Sequence, residues 1–303
     1  MTTLTPLLTN TRLGQDITNF LLEQRKEGKA SETIRSRIQS LKQVSQTTDL
    51  NNSDEVRTYL ANSKWCNKTK TKFIDTYSAY LRFKHIEWKQ PKYLTESKMP
   101  FIPTETEIDL LISGTGKLIS SVLQMLKETG MRIGELVQLK WIDIDEERKV
   151  VSITPEKGSN PRILPISQKL IGMMHRLPKK RQTIFQPRKN MLRDYLSTQR
   201  KALSEKLNNP RLKQITFHTL RHWKGTTEYH RTKDIIHVKT VLGHKSITST
   251  LIYINLESAL YLQTEENFTC KIAKTPEEII TLNEAGFTYI QTVEGMHFYK
   301  KRK

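Results

Sequence analysis

The chain has 303 residues, more than one domain usually holds, so two domains with separate cores are expected. Its 50 Lys plus Arg against 31 Asp plus Glu leave a formal charge of +19, and such a chain holds a polyanion by releasing its counterions, so nucleic acid is the first partner to consider. No apolar run approaches a spanning length, residues 1–10 lack the form of a signal peptide, and Cys66 and Cys270 stand far apart outside any CxxC or Cys/His cluster; a cytoplasmic protein without membrane attachment, disulfide framework or structural metal is expected.

Residues 16–90 carry apolar side chains at helical spacing, such as Ile17, Phe20 and Leu21, then Ile34, Ile38 and Leu41, and four helices fit the stretch. Gly28 and Lys29 separate the first two, and Ser53 is expected to cap the third. The fourth, with Phe73, Ile74, Tyr77, Tyr80 and Leu81 on one face, is expected to run from Asn67 until Pro91 ends it. Its other face carries Lys68, Lys70, Lys72, Arg82 and Lys84, a row that suits either solvent or a phosphate backbone. Pro91, Pro100 and Pro103 mark a linker, so the expected division is a helical domain over 1–90, a linker over 91–103 and a second domain over 104–303.

Thr104 with Glu107 forms a capping box that opens the next helix. Val150, Val151 and Ile153, then Ile163, Leu164 and Ile166, flank a turn-rich run from Glu156 to Pro161 and predict a β-hairpin. Helical patterns return over 168–177, 189–207 and 220–228. Near the end, Thr275, Pro276 and Glu278 open a short helix that Gly286 closes, and a small hairpin around Glu294-Gly295 follows. The fold class expected is mostly α: an all-α N-terminal bundle, then a mixed α+β domain with a small hairpin or sheet.

The chemistry concentrates in the second domain. In Phe217-His218-Thr219-Leu220-Arg221-His222, His218 and Arg221 would share a helix face, one able to move protons and the other to fork onto two phosphate oxygens. Arg132, after Gly130, is a second such fork, with Glu135 placed to fix it. A third segment runs Leu242-Gly243-His244 to Tyr253; a tyrosine hydroxyl, with a pKa near ~10, is a poor nucleophile unless cations stabilise the phenolate or a base takes the proton. Each piece also has a structural reading: Tyr253 as a core tyrosine, Lys157 as an exposed turn lysine, His244 as a helix-end cap, and His218 with His222 as a metal pair that lacks a third ligand.

The joint order of an arginine, a hairpin lysine, HxxR, then LGH and a tyrosine resembles the tyrosine recombinases, the phage-type integrases and Xer-like enzymes. The resemblance covers about residues 104–256 with strong motifs and extends to the N-terminal half as architecture only, that of a core-binding domain; the tail over 275–303 resembles archaeal members. It implies catalytic roles for Arg132, Lys157, His218, Arg221, His244 and Tyr253. Glu156 departs from the family's Gly-Lys-Gly. What it implies of mechanism is cofactor-free: Arg132 and Arg221 clamp the scissile phosphate, Tyr253 attacks phosphorus, Lys157 protonates the departing 5′ oxygen, His218 transfers protons and His244 donates to phosphate. The implied partners are double-stranded DNA with specific recombination sites and a homo-tetramer built on two of them. Other readings of the same features are a type IB topoisomerase, a DNA-binding relative that no longer cuts, and a basic RNA-binding or scaffold protein.

Overall fold

The computed structural model describes residues 12–96, 98–156, 158–261, 268–293 and 295–302, and the chain divides into two compact units, 1–98 and 99–303. The first is four helices, α1 (Arg12–Lys26), α2 (Ser31–Val44), α3 (Ser53–Asn62) and α4 (Asn67–Phe83). Their apolar stripes close on Phe20, Leu41, Leu60, Tyr77 and Tyr80; Phe20 meets the Tyr80 ring edge-on at 5.6 Å, and the Tyr77 hydroxyl donates to the Leu50 carbonyl at 2.9 Å.

Three details differ from the sequence reading. Asn52, not Ser53, caps α3, because its side chain accepts from the Asp54 and Glu55 amides. Helix α4 stops at Phe83, well before Pro91: His85 takes a positive φ of 56° and the Ile86 amide turns back to the Leu81 carbonyl, so the chain is capped before any proline is met. The cationic row of α4 is not a free stripe either. Lys84 pairs with Asp16 at 2.6 Å, Lys72 donates to Ser36, and Lys70 is buried with its ammonium over the Tyr93 ring.

The second unit opens with α5 (Glu105–Gly114), whose Thr104–Glu107 capping box forms as expected, and α6 (Lys117–Thr129). Helix α6 buries Val122, Leu123, Met125 and Leu126 and so runs through the middle of the core. It ends at Gly130 with φ +60°, and α7 (Ile133–Gln138) follows at once. The predicted hairpin is β2 (Val150–Ile153) against β3 (Arg162–Pro165), and it gains a third strand, β1 (Ile144–Asp145), too short to carry a periodic signal. Helices α8 (Gln168–His175), α9 (Lys189–Lys206), α10 (Phe217–Thr232), α11 (Ile235–Leu242) and α12 (Ile252–Tyr261) complete the main body. Helix α10 starts three residues before the periodicity shows because Thr216 caps it. The tail is a second antiparallel sheet, ordered β4 (Phe268–Ala273), β6 (Met296–Arg302), β5 (Thr288–Val293), with α13 (Pro276–Glu284) packed on it through Leu282 and Tyr299. The fold is thus mostly α with two small sheets, and among the described residues no helix is long and apolar enough to cross a membrane.

Candidate active site

The site is assembled at the ends of α6, α10 and α11 and the start of α12. Arg132 caps α7: its amide donates to the Glu135 carboxylate at 2.8 Å, while its guanidinium reaches Ser159 Oγ at 2.8 Å and Glu135 at 3.5 Å. Glu135 is buried and pairs with buried Arg162 of β3 at 2.7 Å. Burial alone would raise its carboxyl pKa; the bonds from Arg162 and the Arg132 amide outweigh it and hold the group below its ordinary value. Ser159 in turn donates to the Gly243 carbonyl at 2.9 Å, and the Asn160 amide reaches the same oxygen at 3.0 Å. The hairpin is therefore tied both to Arg132 and to the turn after α11. That turn needs glycine: Gly243 has φ +67°, and a Cβ there would lie 2.7–2.9 Å from Arg162, Asn160 and Ser159.

Arg221 of α10 is almost wholly buried, and it spends two donors on the Gly130 carbonyl at 2.7 Å and the Leu242 carbonyl at 2.6 Å. Burial, helped by the Arg132 charge, depresses its pKa to about 10, so it remains a cation at neutral pH. His218, one turn earlier, is exposed and lines a cleft of about 630 Å³ together with Arg132, Arg221, Glu156, Arg193 and Arg200. Its pKa is lowered by desolvation and by Arg221 and Arg132. The His218 ring meets the His222 ring edge-on at 4.6 Å, and His222 lies 6.0 Å from the Tyr253 ring. His222 Nδ1 is buried without a partner, and desolvation together with His218 and Arg221 lowers its pKa to about 4.

Tyr253 is the second residue of α12 and is 2% exposed. Its ring lies parallel to that of His244 at 6.4 Å, and it fills the space left by Gly225 of α10, where a Cβ would stand 2.5–2.8 Å from the phenol. Burial raises its pKa to about 12 against the opposing pull of Arg221 and Arg132, so the hydroxyl is protonated at neutral pH and needs a base to attack. Buried His244 is held by Thr250 Oγ1 at 3.0 Å from Nδ1, and burial with the nearby arginines lowers its pKa to about 3. When Thr250 donates to Nδ1, the remaining N–H of the neutral ring is on Nε2.

Of the six residues singled out from sequence, five gather here; Lys157 lies outside the described residues. Sequence reasoning missed Ser159, Arg162, Gly225 and Thr250, and it weighed His222 only as half of a metal pair with His218. Only Gly225 carried a signal, a glycine inside a helical pattern, which costs about 1 kcal/mol relative to alanine unless close packing requires it. The guanidiniums of Arg132 and Arg221, the imidazoles of His218, His222 and His244 and the phenol of Tyr253 can together hold an oxyanion, move a proton and present a nucleophile.

The chain belongs to the phage integrase family, which it matches over residues 92–259, more than half its length. It is 28% identical over 190 residues to the tyrosine recombinase XerA of Pyrococcus horikoshii, a match covering 59% of this chain and 66% of that relative, just under two thirds. It is 27% identical over 263 residues to the putative integrase/recombinase y4qK of Sinorhizobium fredii, covering 78% and 83%. Among solved structures, the Tn1549 transposon integrase in complex with transposon right end DNA shares the fold at a TM-score of 0.59 and 17% identity, covering 82% of this chain and 99% of that one. A lambda integrase dimer bound to a core site does so at 0.58 and 14%, covering 79% and 94%.

Proposed function

We propose that the protein is a site-specific tyrosine recombinase that cleaves and rejoins double-stranded DNA through a 3′-phosphotyrosyl bond at Tyr253. The observation that carries the reading is the placement of Tyr253 against His244, with its charge state pulled by Arg221 and Arg132 of the same chain. Arg132 and Arg221 hold the non-bridging oxygens of the scissile phosphate and offset the charge that grows there. The phenol oxygen attacks phosphorus and the bond to the 5′ oxygen breaks; that oxygen takes a proton from Lys157. His218 accepts the phenol proton, and His244 donates to a phosphate oxygen through Nε2. A 5′ hydroxyl from a partner strand reverses the step and yields an exchanged strand.

Units 1–98 and 99–303 serve as the core-binding and catalytic domains, and four copies act on two sites. The charge of +19 suits such a polyanion complex. Integration or excision of a mobile element and resolution of chromosome dimers are both served by this chemistry. A type IB topoisomerase would use the same bond without pairing two sites.

The test is incubation with nicked DNA carrying candidate sites, read on a denaturing gel beside Tyr253→Phe. A slower-migrating covalent adduct is expected from the wild type and none from the variant. Absence of an adduct on DNA that the protein binds overturns the catalytic reading. Exchange between two sites, as against relaxation of one supercoiled circle, separates recombinase from topoisomerase.

A further inference from the structure

Helix α12 is only ten residues long, and three of its residues, Tyr253, Glu257 and Tyr261, recur at intervals of four along one side. Each meets α10 or the residue that caps it. Tyr253 fills the gap at Gly225, Glu257 accepts from His230 at 2.8 Å and pairs with Lys233, and Tyr261 stacks on the His230 ring at 3.8 Å and 14°. Glu257 is 8% exposed, although no apolar packing role calls for a carboxylate there. Its position is electrostatically awkward: it lies at the C-terminal end of α10, where the helix dipole repels negative charge, and burial adds to the cost. Burial would raise its pKa, yet the bonds from Lys233 and His230 hold it below the ordinary value.

A buried carboxylate held by His230 of α10 and by Lys233, which caps that helix, tolerates one register. Sliding α12 by one residue moves it about 1.5 Å and turns it about 100°, which takes Glu257 from both partners and the Tyr253 ring from the Gly225 gap together. We propose that Glu257, gripped by His230 and Lys233, is a positioning residue that fixes the register of α12 on α10 and thereby places the Tyr253 hydroxyl for attack. The inference rests on Tyr253 being the nucleophile. Misplacing a reacting atom by about 1 Å can cost about a hundredfold in rate without any change in binding.

Single-turnover cleavage of nicked DNA at saturating protein tests it. Glu257→Ala is expected to slow adduct formation by about 10- to 100-fold while DNA affinity stays within about threefold and the protein still melts cooperatively. The charge-swapped pair Glu257→Lys with Lys233→Glu is expected to recover most of the lost rate. A substrate with sulfur in place of the departing 5′ oxygen, which leaves without needing a proton, is expected not to rescue Glu257→Ala, because the defect lies in attack and not in departure. A Glu257→Ala rate within about threefold of wild type overturns the inference, and so does a loss matched by weaker DNA binding, rescue by the sulfur substrate, or a folded swapped pair that recovers nothing. Should Glu257→Ala fail to fold, Glu257→Gln is judged by the same criteria. Adduct formation by Tyr253→Phe would instead remove the reading of Tyr253 itself, whereas a Tyr253-dependent adduct at full rate in Glu257→Ala removes only the role of Glu257.

Discussion

Gly225 shows how one missing side chain can shape a catalytic site. Its absent Cβ is the space in which the Tyr253 ring lies, so Gly225→Ala must displace either the phenol or α12. Overpacking of this kind costs about 1–3 kcal/mol, and the displacement should lower the rate of adduct formation at least about tenfold, which a cleavage time course beside a thermal melt would separate into its two parts. The histidines carry a pH signature. His222 and His244 titrate in the folded protein near 4 and 3, below the unfolded value of about 6.5, so the unfolded chain binds more protons in that interval. Stability is then fully present above about pH 6.5 and falls as pH drops toward the folded values; Glu228, lowered to about 2, adds a further loss below about pH 4.5. Melting temperatures from pH 7.5 to 4 should decline along that course, and replacing His244 by Phe should flatten it between pH 6.5 and 4. A decline that is unchanged in the His244 variant would mean that its imidazole is not neutralised by the fold.

Among elements, the β2–β3 hairpin matters for what it is tied to. Its far end would be a loose turn but for Ser159 and Asn160 on the Gly243 carbonyl, and the first residue of β3 beside that turn, Arg162, is locked to Glu135 of α7. Removing one partner of that buried pair leaves a charge without compensation, so Glu135→Gln or Arg162→Met should destabilise the protein by about 3–5 kcal/mol in denaturant unfolding. Glu135→Gln also takes the carboxylate charge from Arg132, whose amide and guanidinium both reach it, and leaves the guanidinium its bond to Ser159. The pair was not legible in the sequence: the two residues are 27 positions apart, and nothing local to Arg162 marks it as the partner of a buried carboxylate. Caps, by contrast, were legible at Thr104 and Thr275, because both partners of a capping box lie within one turn.

At the scale of the molecule, Tyr253 lies beside Arg221 and His244 of its own chain, so cleavage by each copy of the DNA that it holds is expected. A mixture of Tyr253→Phe with Arg221→Ala should form no adduct, since each copy lacks one part; adduct from the mixture would mean that one copy lends its tyrosine to another. The sequence by itself determined the fold class, the charge, the two-part plan and the order of the motif residues, because periodicity, capping and a family pattern are all written over short spans. It did not determine where α4 stops, which of its lysines are spent inside the bundle, or which residues position the nucleophile. Those outcomes belong to the tertiary structure, since the ends of α4, the Glu135–Arg162 lock, the Gly225 gap and the Glu257 grip each depend on a partner brought near only by packing, and no local property of the residue itself reports what that partner will be.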